Sequence, residues 1–168
     1  MRIPSKLARA AAVTVAAVGI TVGVAAAPAQ AAITGMSAKL TVTAQNSNDL
    51  YWVAVEGVVN MPQAEAQAKI ASGHTMQLRL WGDDPSSDDL QYGPYFNGGG
   101  SGGGSGQLWA ASDGLHFFRT IRLPGYKLDE DNGWYEGDGD ELYVGVRFVT
   151  AGGSTLKSAE TNRVHGYF

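Results

Sequence analysis

The chain has 168 residues, no cysteine, and twelve basic against sixteen acidic side chains, for a formal net charge of −4. An acidic balance repels nucleic acid and anionic membrane surfaces, so neither is an expected partner. The absence of thiols excludes a disulfide framework, thiolate chemistry and cysteine-ligated zinc.

Residues 1–31 read as an export signal. Arg2, Lys6 and Arg9 form a positive region, Ala10 to Ala27 carries no charge, and Ala29-Gln30-Ala31 has the small-x-small cleavage pattern. A membrane anchor is the competing reading. It fits less well, because the run is alanine-rich, short and followed at once by Pro28. No Arg-Arg pair is present, which favours the general secretory route over the twin-arginine one. The expected product is a secreted, extracellular protein with no stable membrane insertion. It begins at Ala32 and keeps 137 residues, enough for one domain with one core. All three charges lost with the signal are basic, so the remainder holds nine basic and sixteen acidic groups and a net charge of −7. Cations, neutral glycans and other secreted proteins are the expected partners.

Met36 to Gln45 alternates Ala38, Leu40, Val42 and Ala44 against polar residues, the pattern of a half-buried strand. Asn46 to Asp49 is a turn, and Leu50 to Val59 is a second strand rich in aromatic and β-branched residues. Residues 61–72 predict a short helix: Asn60 can cap it, Pro62 suits its first turn, and Gly73 can end it. A strand with Ala64, Ala66 and Ala68 inward fits the same residues. Thr75 to Trp81 alternates again. The acidic stretch Gly82 to Asp89 follows, then an extended aromatic segment from Leu90 to Phe96.

Residues 98–106 read GGGSGGGSG, a flexible loop by composition, natural or engineered. Structured patterns resume on both sides, so it lies inside one domain over 32–168. Gln107 to Ala111 and Leu115 to Leu123 predict strands around the turn at Ser112-Asp113-Gly114. Asp129 to Glu141 then packs seven carboxylates and three glycines into thirteen residues. Glu141 to Thr150 is the strongest strand pattern in the chain. Thr155 to Phe168 supplies one or two closing strands after the turn at Ala151 to Ser154. Seven or eight short strands without β-helix-β alternation point to an all-β fold. An antiparallel β-sandwich, immunoglobulin-like or C2-like, is the economical form, and a barrel is the alternative.

The two acidic stretches are the first candidate site. Calcium takes six to eight oxygen ligands, mostly carboxylates and loop carbonyls. Asp83, Asp84 and Asp88 from one stretch, and Asp129, Asp131, Asp138 and Asp140 from the other, would supply them if both loops left the same end of the sandwich. The EF-hand pattern fails, since position five from Asp129 is Gly133 and position twelve is Asp140. A merely solvated acidic surface explains the same residues. Paired carboxylates also permit a small hydrolase acting on glycosides, although no spacing here is specific to one. His74, His116 and His165 lie far apart without ligand spacing, no serine has a GxSxG context, and the glycine-rich run lacks the Lys-Ser/Thr ending of a phosphate loop.

Aromatic residues form the second candidate set. Tyr51, Trp52, Tyr92, Tyr95, Phe96, Trp109, Trp134, Tyr135 and Tyr167 outnumber what one small core needs. Trp81, Tyr95, Trp109, Trp134 and Tyr135 are the candidates for a binding surface, where aromatic side chains favour interfaces or stack on sugars. Core packing is the plain alternative for each. Exposed sandwich edges offer a further route, by strand addition.

Leu80-Trp81-Gly82-Asp83-Asp84-Pro85, Leu128 to Asp131, Asp140 to Val146 and the closing Thr161-Asn162-Arg163-Val164-His165-Gly166-Tyr167-Phe168 resemble small exported β-sandwich proteins of filamentous actinobacteria. The chain also resembles the small adaptor subunit of umbrella toxin particles, secreted antibacterial assemblies in which that subunit links a repeat-built toxin chain to lectin-bearing subunits. The resemblance implies a non-enzymatic connector. The sequence therefore leads to a secreted binding or adaptor subunit. A calcium-dependent or calcium-stabilised glycan-binding domain and a small carboxylate-dependent hydrolase stand as alternatives.

Overall fold

The structure, a computed structural model, describes residues 32–45, 49–83, 88–97, 106–129 and 139–168, with the side chains of Tyr95, Phe96 and Asn97 left aside. The proposed signal, the turn at 46–48 and the glycine-serine run at 98–105 lie outside the described residues. Among the described residues, nine strands, one helix and one 3₁₀ turn follow one another: β1 (Gly35–Ala44), β2 (Leu50–Asn60), α1 (Gln63–Ala71), β3 (Thr75–Gly82), β4 (Asp89–Asn97), β5 (Gly106–Ala111), β6 (Gly114–Pro124), the 3₁₀ turn Gly125–Lys127, β7 (Asp140–Val149), β8 (Thr155–Glu160) and β9 (Val164–Gly166). The count exceeds the expected seven or eight because the closing stretch is cut in two.

The strands form two antiparallel sheets. The first runs β1-β2-β6-β5, and the second runs β4-β3-β7-β8 with β9 also paired to β7. This is the order of an immunoglobulin-like sandwich, A-B-E-D against C′-C-F-G. Period-2 alternation decides what each strand buries. In β3, Met76, Leu78 and Leu80 point inward while Thr75, Gln77, Arg79 and Trp81 point outward. Leu40, Val53, Val55, Val59, Leu115 and Phe117 of the first sheet meet Met76, Leu78, Leu142, Val144, Val146 and Phe148 of the second. Arg119 takes an inner-face position at 1% exposure, and its burial pushes the guanidinium below its ordinary pKa.

Residues 63–71 are helical, not the alternative strand, and Ala66 is the residue α1 buries completely. The helix begins two residues later than expected. Pro62, not Asn60, is the N-cap, and no side chain caps there. Asn60 stays in β2, where its carbonyl accepts the Thr34 N–H. The C-terminal end is as expected. Gly73 has φ +79°, its N–H donates to the Ile70 carbonyl, and the His74 N–H donates to that of Lys69, a Schellman arrangement.

The break between β8 and β9 is Thr161-Asn162-Arg163. Thr161 is buried, donates its N–H to the Val144 carbonyl and accepts the Val144 N–H on Oγ1 at 2.9 Å. The Asn162 amide turns across to the other sheet. Its Oδ1 accepts the Leu40 N–H at 2.9 Å and its Nδ2 donates to the Leu40 carbonyl at 3.2 Å. One side chain thus stands in for a paired strand residue at the β1 edge, and that position is closed to strand addition.

Replacing Asn162 by alanine strands both Leu40 backbone groups in a part-buried place. We expect a loss of about 1–3 kcal/mol in the stability measured by urea unfolding, with the slope of the transition unchanged. Gly57 sits in β2 where an added Cβ would run into the Ser37 carbonyl and the Phe117 ring. Gly57→Ala is expected to lower stability by more than about 1 kcal/mol in the same assay.

Candidate functional site

The register of β3 on β7 places Gly82 opposite Leu142, and the Asp83 N–H donates to the Glu141 carbonyl at 2.8 Å. The acidic stretches 83–89 and 129–141 therefore leave the same end of the second sheet. Three of their described carboxylates, those of Asp83, Asp88 and Asp140, have protein partners of different kinds. Asp83 pairs with the Arg163 guanidinium, and Asp88 accepts the Tyr143 hydroxyl at 2.6 Å. Asp140 is 5% exposed and accepts the Phe168 N–H at 3.3 Å. Asp129 closes the 3₁₀ turn by donating its N–H to the Gly125 carbonyl. Asp84, Asp131 and Asp138 lie outside the described residues, as do Trp134 and Tyr135. Among the described residues, no three His, Asp or Glu side chains gather as metal ligands do.

Arg163 organises this end. Its Nη1 donates to Glu160 at 3.2 Å, its Nε reaches Asp83, and its guanidinium lies 4.6 Å from the centre of the Tyr143 ring. The Tyr143 phenol is raised well above its ordinary pKa, first by burial, then by its bond to Asp88 and by the charges of Asp88, Glu160 and Asp83.

The aromatic candidates separate onto opposite faces. Trp109 of β5 is 43% exposed and stacks on His116 of β6, ring centres 5.3 Å apart. His116 in turn holds Asp113 through Nε2 at 2.7 Å. The register puts Ser37, Val58, His116 and Trp109 in one row across the outer face of the first sheet. Lys39, Glu56, Phe118 and Gln107 form the next. Trp52, 39% exposed, faces outward on the same sheet opposite Arg122. A hollow of about 240 Å³ lies between Glu56, Val58, Trp109 and His116, floored by Gly57 and Phe117. Trp81 belongs to the other sheet. It is half-buried on the outer face of β3, beside Tyr143 in register. Tyr95 pairs with Leu78 in β4.

The histidines stay apart. Beyond the His116–Asp113 pair, His165 pairs with Glu141 at 2.9 Å, and Ser72 Oγ lies 3.0 Å from His74 Nδ1. That serine hydroxyl is committed to the Ala68 carbonyl at 2.9 Å, and Ser72 is the helix C-cap. Burial and the neighbouring Lys69 charge hold His74 below the usual histidine range.

Several surface residues carry no motif that sequence reading picks out. Arg79, Gly145, Arg147 and Arg163 are the main ones. A signal for two of them exists. Arg79 shares the outward phase of Trp81, and a lone glycine inside the strongest strand marks a close approach. Val58 and Phe118 are visible only once the register is known.

No family model matches the chain, and neither does any curated protein or solved structure. No helix among the described residues is long and apolar enough to cross a membrane.

A phenol whose pKa is raised on folding contributes stability that is complete below its unfolded value and lost as pH rises through the folded one. Stability should therefore fall above about pH 10, the ordinary tyrosine value. Tyr143→Phe should flatten that alkaline limb while lowering the melting temperature at neutral pH. Thermal melts of both proteins across the alkaline range check it.

Proposed function

We propose that the chain is a secreted, non-enzymatic interaction module, an adaptor that joins other proteins of an extracellular assembly. The observation that carries this reading is the outer face of the first sheet. An antiparallel sheet with one side in solvent normally shows polar residues there. This one shows Val58, Phe118, Trp52 and Trp109 among the polar positions, with both indoles more than a third exposed. Covering one such indole is worth on the order of 2 kcal/mol from apolar area alone. Tryptophans are also the residues most enriched at the centres of protein interfaces. The resemblance to the adaptor subunit of umbrella toxin particles supplies the kind of assembly, an antibacterial toxin complex, in which such a face would be covered.

The partner is another secreted protein seated on the β2-β6-β5 face. Native complexes purified from culture supernatant should contain the chain together with a larger protein. Trp109→Asp should release it by at least about tenfold in affinity without moving the melting temperature. Recovery of the wild-type chain alone as a monomer would count against the adaptor reading.

The common end of the two acidic stretches favours calcium stabilisation as a second reading. A ligand that binds only the folded state raises its melting temperature. A rise of several degrees in excess calcium over chelator would support it, and identical melts would remove it.

A further inference from the structure

We propose that the outer face of the second sheet binds an acidic saccharide, a sugar ring bearing a carboxylate, in the groove over Gly145. The register places Arg79, Gly145 and Glu160 in one row across β3, β7 and β8, and Gln77, Arg147 and Ser158 in the next. Gly145 has no side chain to fill its place between Arg79 and Glu160. The result is a groove of about 420 Å³ walled by Arg79, Trp81, Arg147, Ser158 and Glu160, within the range of small-ligand sites.

The walls present more donors than acceptors. Arg79 Nε is buried without a hydrogen-bond partner. Its stem runs close to the β4 backbone. Gly93 and Pro94 of β4 together oppose Arg79, between the pairs Leu78–Tyr95 and Leu80–Tyr92. This bulge brings the β4 backbone close enough that a Cβ on Gly93, at φ +127°, would lie 3.6 Å from Arg79 Cγ. Bulges of this kind re-aim a side chain, here into the groove. Arg147 donates to Gln77 at 3.0 Å and to Thr155 at 2.8 Å, both neutral acceptors. The Trp81 indole lies over the bare backbone, with Nε1 3.2 Å from where a Gly145 Cβ would be. Glu160 is the acidic group of the lining, and Arg163 engages it.

Two guanidiniums that have no carboxylate partner among the described residues, in a chain of acidic net charge, call for an anion. A planar carboxylate matches the guanidinium fork with two oxygens. The rest of the groove selects a sugar to carry it. The indole offers a surface for the C–H face of the ring, and Ser158 and Glu160 can exchange hydrogen bonds with hydroxyls. Glu160 would repel a second carboxylate, which disfavours an acidic peptide. The groove lies on the sheet opposite the aromatic face, so this proposal and the adaptor reading stand or fall separately.

The test is an NMR titration of the full chain that follows the Trp81 indole N–H, with isothermal calorimetry for affinity. The probes are a glucuronic acid disaccharide, the neutral glucose disaccharide of the same linkage, and N-acetylated diglutamate. The glucuronic acid disaccharide should shift the indole resonance and weaken with added salt. The other two should leave it unmoved. Arg79→Met should cut affinity by about tenfold or more, and Arg147→Lys should cut it despite keeping the charge. Gly145→Ala, which places a methyl on the groove floor, should do the same. Arg122→Met on the other sheet should change nothing. Equal binding of the neutral sugar, binding of the diglutamate, or no shift at millimolar uronic acid would each overturn the proposal. So would wild-type affinity in Arg79→Met and Gly145→Ala proteins that melt like the parent.

Discussion

One side chain, Asn162, ties the edge of the first sheet to the second, and its two neighbours hold it in place. Thr161, Asn162 and Arg163 interrupt the last edge strand, and each turns to a different part of the molecule. Thr161 stays on β7 and satisfies both backbone groups of Val144. Asn162 leaves the sheet and completes the hydrogen bonding of Leu40 on β1. Arg163 reaches the start of the first acidic stretch and the ring of Tyr143. A continuous strand could do only the first of these. The break converts an edge with unpaired backbone groups into a seam between sheets, and it does so with side chains of fixed length. The seam, the acidic end and the outer face of β7 are therefore not independent features. They share one stretch of backbone, and a change in its path would be felt in all three.

An immunoglobulin-like sandwich often pins its two sheets with a disulfide between the second and the sixth strands in that topology. This chain has no cysteine. The corresponding strands, β2 and β7, contribute Val53, Val55, Val144 and Val146, all at most 2% exposed. Close packing of β-branched side chains replaces the covalent pin, and the Asn162 amide supplies a directional link that packing alone does not give. Gly57 shows how tight this arrangement is. Its place against the Phe117 ring leaves no room for a methyl group, so the sheet depends on an absent side chain as much as on present ones.

The strands and their faces were readable in the sequence because alternation is a local signal. Thr75 to Gly82 is the plainest case, with every second residue buried. The helix was readable from Gly73 and the run of good helix formers, although its first cap was not, since Asn60 is held in β2 by the ladder to β1 and β6. Strand order was beyond reach. It rests on pairings such as Thr75 with Val149, between segments far apart in the chain. The fate of the candidate sites follows from that order. Acidic residues at 83 and 140 could be named from composition, but only the β3–β7 pairing puts them at one end. Trp81 and Trp109 were visible as aromatics, and only the sheets show that they face opposite directions.

That opposition gives so small a domain two outer surfaces of different chemistry. A sandwich has two outer faces, separated by a core that both need. Here the faces differ in chemistry. One carries indoles, a phenyl ring and a valine, which gain most from dehydration. The other carries guanidiniums around a bare glycine, which gain most from a charged acceptor. On the two proposed readings, a partner suited to one face would be poorly suited to the other. The acidic end adds a third constraint. There Arg163 pairs with both Asp83 and Glu160, and Glu160 also belongs to the wall of the cationic groove. Across the second sheet, Ser158 and Glu160 lie on β8, Arg147 on β7 and Arg79 on β3.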